Sequence, residues 1–318
     1  MRRNCWGLCL AALLWPIAAA ANEVEQGLAT LWEVLWHQSG TPTRIVRWEN
    51  DIRVRIHGVN AGAHRAHTLQ ALRAVTSEAG VKLVDVTGQA DEHTANLSVE
   101  ITSDHQLEDN QPCVTFLDFR SETRIDSATV QMRSKDAWRC AYHEAMHVMG
   151  VRGHPAGQTV LSYFPWKIDG LLPLDKVMLR AWYSPRMAGG MTPFEALPVL
   201  ADELVAISPN KAGAAQARDQ FFASTIQQMH MYANGQGDVP MVVKRSGKAT
   251  SEGVRYGRGE MSYFLGIAYL EGTTVSRDAT QAVRWLERAA TMGNRGAQAK
   301  LGAFRQYAPL PAGGPRPA

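Results

Sequence analysis

The segment His143-Glu144-Ala145-Met146-His147 constrains this 318-residue chain more than any other. It reads H-E-x-x-H. On an α-helix, residues four apart lie one turn apart on the same face, so His143 and His147 present two imidazoles side by side. Two imidazoles at that spacing can hold one zinc ion, and Glu144 is placed to reach a water on the same metal. The pattern therefore predicts Zn²⁺ as cofactor, His143 and His147 as ligands, and Glu144 as a general base.

The flanks predict the helix that the pattern needs. Asp136 through Met149 contains good or neutral helix formers with an acid at the start. Ser134 or Asp136 is the candidate N-cap. Gly150 follows Met149, where glycine lets a chain turn out of a helix.

The run from His143 to His154, HEAMHVMGVRGH, resembles the long zinc motif of the metzincin peptidases, H-E-x-x-H-x-x-G-x-x-H. Gly150 matches the family glycine. Gly153 stands where the family has its third histidine, and His154 follows one residue later. The resemblance implies His154 as third ligand, with Asp169 as the alternative. Metzincins also carry a methionine turn below the metal. Thr159-Val160-Leu161-Ser162-Tyr163 resembles it, with Leu161 in the methionine place. Tyr163 then falls where a phenol donates to an oxyanion; the competing reading makes it a core aromatic. Phe164 and Trp166 read as core or rim aromatics, or as lining for a substrate side chain.

A longer stretch, Arg44 to Val205, resembles a family of uncharacterised secreted bacterial domains. The resemblance rests on Trp48-Glu49-Asn50-Asp51-Ile52-Arg53-Val54, on Leu174-Asp175 through Pro185, and on Gly190-Met191-Thr192. Strands are expected over Arg44–His57 (interrupted near Glu49–Asp51), Val81–Val86, Asn96–Ile101, Val114–Phe119 and Ala128–Met132. A helix is expected over Ala63–Ala79. Either of the last two strands can be an edge beside the cleft, able to pair with an extended peptide. His64 and His67 have metal-like spacing, but local polarity assigns them to a loop or helix start.

The N-terminus reads as a Sec signal peptide. Arg2 and Arg3 precede an apolar run from Leu8 to Ile17, and Ala18 to Ala21 offer a cleavage site after Ala21. The run is too short to span a bilayer. Cleavage removes Cys5 and Cys9, leaving Cys113 and Cys140. In an oxidising compartment these two predict one disulfide; the alternative makes Cys140 a zinc ligand. Of 33 basic residues, loss of Arg2 and Arg3 leaves 31 against 30 acidic ones. So balanced a charge gives no case for nucleic acid. Asn22 to Gly40 reads as a helix packed on the body, the alternative being a cleft-blocking pro-segment.

The C-terminal third has a different texture. Tyr263 to Gly272, followed by Asp278, Ala282, Trp285, Leu286, Ala289, Ala290 and Gly293, resembles the Sel1-like helical repeat. Leu265-Gly266 recurs as Leu301-Gly302, and Tyr232 to Gly235 echoes Tyr269 to Gly272. The expected fold is α+β: a metzincin-like lobe with a mixed sheet and active-site helix, then a short all-α repeat region. The expected segments are a signal peptide at 1–21, the peptidase domain at 22–207, repeats at 208–307 and a Pro/Gly-rich tail at 308–318. The expected function is a secreted, periplasmic or extracellular zinc metallopeptidase acting on a peptide or protein, with no membrane anchor. The alternative is a non-catalytic domain that binds a protein partner through its repeats.

Overall fold

The computed structural model describes residues 9–36, 44–107, 111–121, 123–162, 169–245 and 251–307, with side chains omitted at 9–22, 251–252 and 305–307. The chain divides into two compact units, Met1–Phe221 and Phe222–Ala318.

The first unit is built on a six-stranded mixed sheet. Its strands are β1 (Arg47–Trp48), β2 (Ile52–Gly58), β3 (Leu83–Asp85), β4 (Leu97–Thr102), β5 (Cys113–Ser121) and β6 (Arg124–Arg133). The order β1-β6-β4-β2-β3 is parallel throughout, with Val54 opposite Leu97 and Leu97 opposite Ala128. β5 is different: it pairs antiparallel with β6 and, among the described residues, with no other strand. The edge left open in the sequence reading is therefore β5, and β6 lies inside the sheet.

The strands alternate as a one-sided sheet requires. Ile52, Val54 and Ile56 of β2, Leu97, Val99 and Ile101 of β4, and Ala128, Val130 and Met132 of β6 are buried. Helices α2 (Ala61–Ala79) and α3 (Ala137–Val148) pack on the sheet and on each other. The intervening positions are polar, among them Arg53, Arg55, His57, Ser98 and Gln131, and none of these is buried. Helix α4 (Pro173–Trp182) packs on α2, α5 (Pro193–Ile207) on α4, and α1 (Cys9–Trp36) on α5. Within α1, Leu28, Leu31, Val34 and Leu35 are fully buried. Residues up to Trp36 are thus a packed helix, as expected; 37–40 of the segment Asn22 to Gly40 lie outside the described residues.

Cys113 of β5 and Cys140 of α3 form a disulfide with Cα atoms 6.2 Å apart. The bond ties the edge strand to the helix and removes Cys140 from the possible metal ligands. It closes a loop spanning 27 residues of sequence separation. The Cys113→Ala/Cys140→Ala double variant is expected to lose about 3–4 kcal/mol of stability, read from its urea midpoint, because a loop of that size restricts the unfolded chain by about this amount.

Asp136 occupies the N-cap position of α3 but makes no side-chain cap bond. Its carboxylate is taken instead by Arg133 and Arg139, each at 2.8 Å. The expected capping hydrogen bond is corrected on this point: two guanidinium groups outcompete a backbone N–H for one carboxylate.

Helix α6 (Lys211–Ala233) is followed in the second unit by α7 (Met241–Arg245), α8 (Ser251–Glu271), α9 (Ala279–Thr291) and α10 (Arg295–Tyr307). Asp278 caps α9 by accepting from Gln281 N at 3.0 Å. Ala282, Trp285, Leu286 and Ala289 form its buried face. The repeat signature has a packing cause: a Cβ on Gly266 would lie 2.7 Å from Leu286 Cγ, so α9 approaches α8 only over a glycine. The echo between Tyr232–Gly235 and Tyr269–Gly272 ends alike, with φ of +77° at Gly235 and +73° at Gly272. Among the described residues, no helix is long and apolar enough to cross a membrane.

Candidate metal centre

Helix α3 carries His143, Glu144 and His147 on its buried side. The helix ends at Val148, and the turn after it passes through Gly150, whose φ is +89°. That turn folds the chain back so that Val151 O lies 2.8 Å from His147 Nδ1. His143 Nδ1 is matched in the same way by Val160 O, also at 2.8 Å. Carbonyl oxygens only accept, so Nδ1 carries the proton in both rings. Burial lowers the pKa of His143, against the Val160 hydrogen bond, and it lowers that of His147 further, with help from the His143 and His154 charges. Burial thus disfavours the charged form of both rings, and Nε2 is the ring nitrogen left to bind a cation.

These nitrogens converge. His143 Nε2 lies 3.1 Å from His147 Nε2, and His154 Nε2 completes the triangle at 3.1 and 3.2 Å. In the neutral form with Nδ1 protonated, His143 and His147 turn unprotonated Nε2 atoms toward each other, an arrangement that a shared cation accommodates. The separations are slightly under the roughly 3.3–3.4 Å that tetrahedral bonds of about 2.0–2.1 Å to nitrogen would set, and the cluster is within metal-binding distance. Of the described residues, these three histidines form the cluster of potential ligands.

Glu144 is 3% exposed. Burial pushes its carboxyl up to about 7, against the lowering effect of a hydrogen bond from Thr115. Thr115 Oγ1 donates to Glu144 Oε2 at 2.6 Å. Thr115 lies on β5 two residues after Cys113, on the same strand face, so the disulfide and the hydrogen bond fasten one edge strand to one helix.

Below the histidines, Ser162 N donates to Thr159 O at 3.2 Å and Leu161 N to Thr159 Oγ1 at 2.8 Å. Leu161 is fully buried. The Val160 peptide is held from both sides. Its carbonyl accepts from His143, and its N–H donates to Asp175 Oδ1 and Oδ2 at 3.1 and 3.2 Å. Asp175 also accepts from Leu172 N at 2.8 Å. Burial raises the Asp175 carboxyl to about 7, partly offset by the Leu172 and Val160 N–H groups. Asp175 thus orients His143 through one peptide unit, the kind of outer support that fixes a ligand's ring.

The remaining candidates lie elsewhere. Asp169 accepts from Trp138 Nε1 at 3.0 Å and is not in the histidine cluster. His67 stacks on Trp138 with ring centroids 3.6 Å apart and faces Trp138 O at 3.1 Å. His64 faces Ser134 Oγ at 3.2 Å. Both belong to α2 and brace α3 and the turn before it. Tyr163, Phe164 and Trp166 lie outside the described residues. Thr115 and Asp175 escaped the sequence reading. Thr115 carries no local signal, and the one signal at Asp175 is its place three residues into a helix that opens with proline.

Two family models match the chain. One, described as a protein of unknown function (DUF2927), covers residues 27–151. The other, the Sel1 repeat, covers residues 260–294. The chain therefore carries a DUF2927 domain in its N-terminal part and a Sel1 repeat near its C-terminus. No curated protein and no solved structure matches it.

Proposed function

We propose that the first unit is a zinc-dependent metallopeptidase of metzincin-like design, exported through a signal peptide at residues 1–21. The observation that carries this reading is the convergence of three imidazole Nε2 atoms at 3.1–3.2 Å beside a buried carboxylate. His143, His147 and His154 would hold the metal. A zinc ion in that position is a Lewis acid that polarises a carbonyl and acidifies water. Glu144 takes the proton of the attacking water and returns it to the leaving amine. The open edge of β5 offers backbone groups to an extended peptide, and Thr115 on the same strand steadies Glu144. Tyr163 is the proposed oxyanion donor. The disulfide supports export to an oxidising compartment, periplasmic or extracellular.

The Sel1 repeat favours a second reading, in which the domain binds a protein partner and performs no hydrolysis. Elemental analysis of the purified mature protein, paired with digestion of a broad peptide library, separates the two, because a non-hydrolysing domain can still hold zinc. About one zinc per chain is expected, and His154→Ala should weaken its binding more than about 100-fold, beyond the 10–100-fold that follows loss of a hydrogen-bond partner to a ligand. A parent protein that takes up no zinc after reconstitution sinks the peptidase reading and leaves the partner-binding one.

A further inference from the structure

The loop bearing His154 lies on one turn of α1. Ala156 N–H donates to Glu33 Oε2 at 3.0 Å. A Cβ on Gly153 would sit 2.2 Å from Val34 O, and one on Gly157 would sit 2.0 Å from Thr30 Oγ1. Thr30, Glu33 and Val34 have the i, i+3, i+4 spacing of one helix face. Their three contacts fall on both sides of His154. Glu33 is 4% exposed, so its carboxylate is buried against the loop it holds.

We propose that the part of α1 beyond the signal peptide, residues 22–36, is a permanent part of the metal site, and that Glu33 is a positioning residue that sets the loop so His154 reaches the other two histidines. The proposal rests on the zinc reading given above. It accounts for the third histidine falling one residue late. At position 153 the Val34 backbone leaves no room for any side chain, so residue 154 supplies the imidazole. It also excludes removal of residues 22–36 on activation, because releasing them frees the loop. The DUF2927 match begins at residue 27, so it covers the turn of α1 that carries Thr30, Glu33 and Val34.

The test uses the full mature chain, as parent, Glu33→Ala and Glu33→Gln. Two quantities are read: zinc affinity, by competition with a chromophoric chelator, and amide exchange over residues 152–158 in the zinc-free protein. Glu33→Ala is expected to weaken zinc by about 10–100-fold and to speed exchange in the loop. Glu33→Gln keeps an oxygen that accepts from Ala156, so it should stay close to the parent in both. Zinc binding in Glu33→Ala equal to the parent's overturns the proposal while leaving the metal site intact. So does a Glu33→Gln variant as weak as Glu33→Ala. A parent that binds no zinc removes the metal reading itself, and the positioning role with it. Should Glu33→Ala not fold, Gly157→Ala replaces it. That variant drives a methyl onto Thr30, and Thr30→Ala added to it should recover part of the lost affinity; no recovery overturns the contact.

Discussion

Glu144→Gln is expected to lower peptide hydrolysis by about 10³-fold or more, within the range that general acid–base groups supply, while leaving zinc content unchanged. The two halves of that expectation have separate causes. Glu144 is not among the converging ligands, so its charge is not needed to assemble them. Its carboxyl lies near 7 because burial disfavours the anion. A group at that value can take a proton from water and give it up again within one turnover. Glutamine has the same shape and can still accept from Thr115, so the strand and helix stay joined. It cannot carry the proton. The measurement pairs elemental analysis with digestion of a broad peptide library by parent and variant. Equal turnover in the two would remove Glu144 from the chemistry. Hydrolysis lost together with zinc would mean that the substitution acted on the fold.

What was legible in the sequence was local. The spacing of His143 and His147 predicts a helix, and α3 spans Ala137–Val148. Alternating β-branched residues predict strands, and β2, β4 and β6 bury the alternate positions. Edge identity was not legible, because Val114–Phe119 and Ala128–Met132 have the same texture and only pairing with distant strands separates them. Nothing near Gly153 in the sequence shows why it stands where the family has its third histidine; in the structure it is a close approach to Val34, 119 positions earlier in the chain. The supports of the site share this character. Thr115 is 29 residues from Glu144, Asp175 is 15 from Val160, and Glu33 is 123 from Ala156. A hydroxyl or carboxylate destined for such a bond looks like any other along the chain. Its role exists only once the helices have packed.

Gly150→Ala should be among the most damaging single methyls in the first unit. Two penalties coincide there. The φ of +89° is one that an alanine adopts only at about 1–2 kcal/mol. The new Cβ would also lie 2.3 Å from Val46 O. That oxygen cannot withdraw, because it accepts from Trp182 Nε1 at 2.9 Å. The helix end cannot withdraw either. Trp48 Nε1 donates to Val148 O at 2.7 Å, and Tyr183 OH donates to Met149 O at 3.0 Å. Overpacking of this kind adds about 1–3 kcal/mol, so the total is about 2–5 kcal/mol. Gly80→Ala is the control. Gly80 also has positive φ, +67°, but a Cβ there meets nothing within 4 Å. It should lose only the conformational part, about 1–2 kcal/mol. The difference between the two urea midpoints isolates the collision with Val46. Zinc affinity should follow the same order, since Gly150 starts the turn that brings Val151 O to His147 and leads on to His154. Equal losses in the two variants would show that the helix end yields, and that the turn after α3 is held less firmly than its hydrogen bonds indicate.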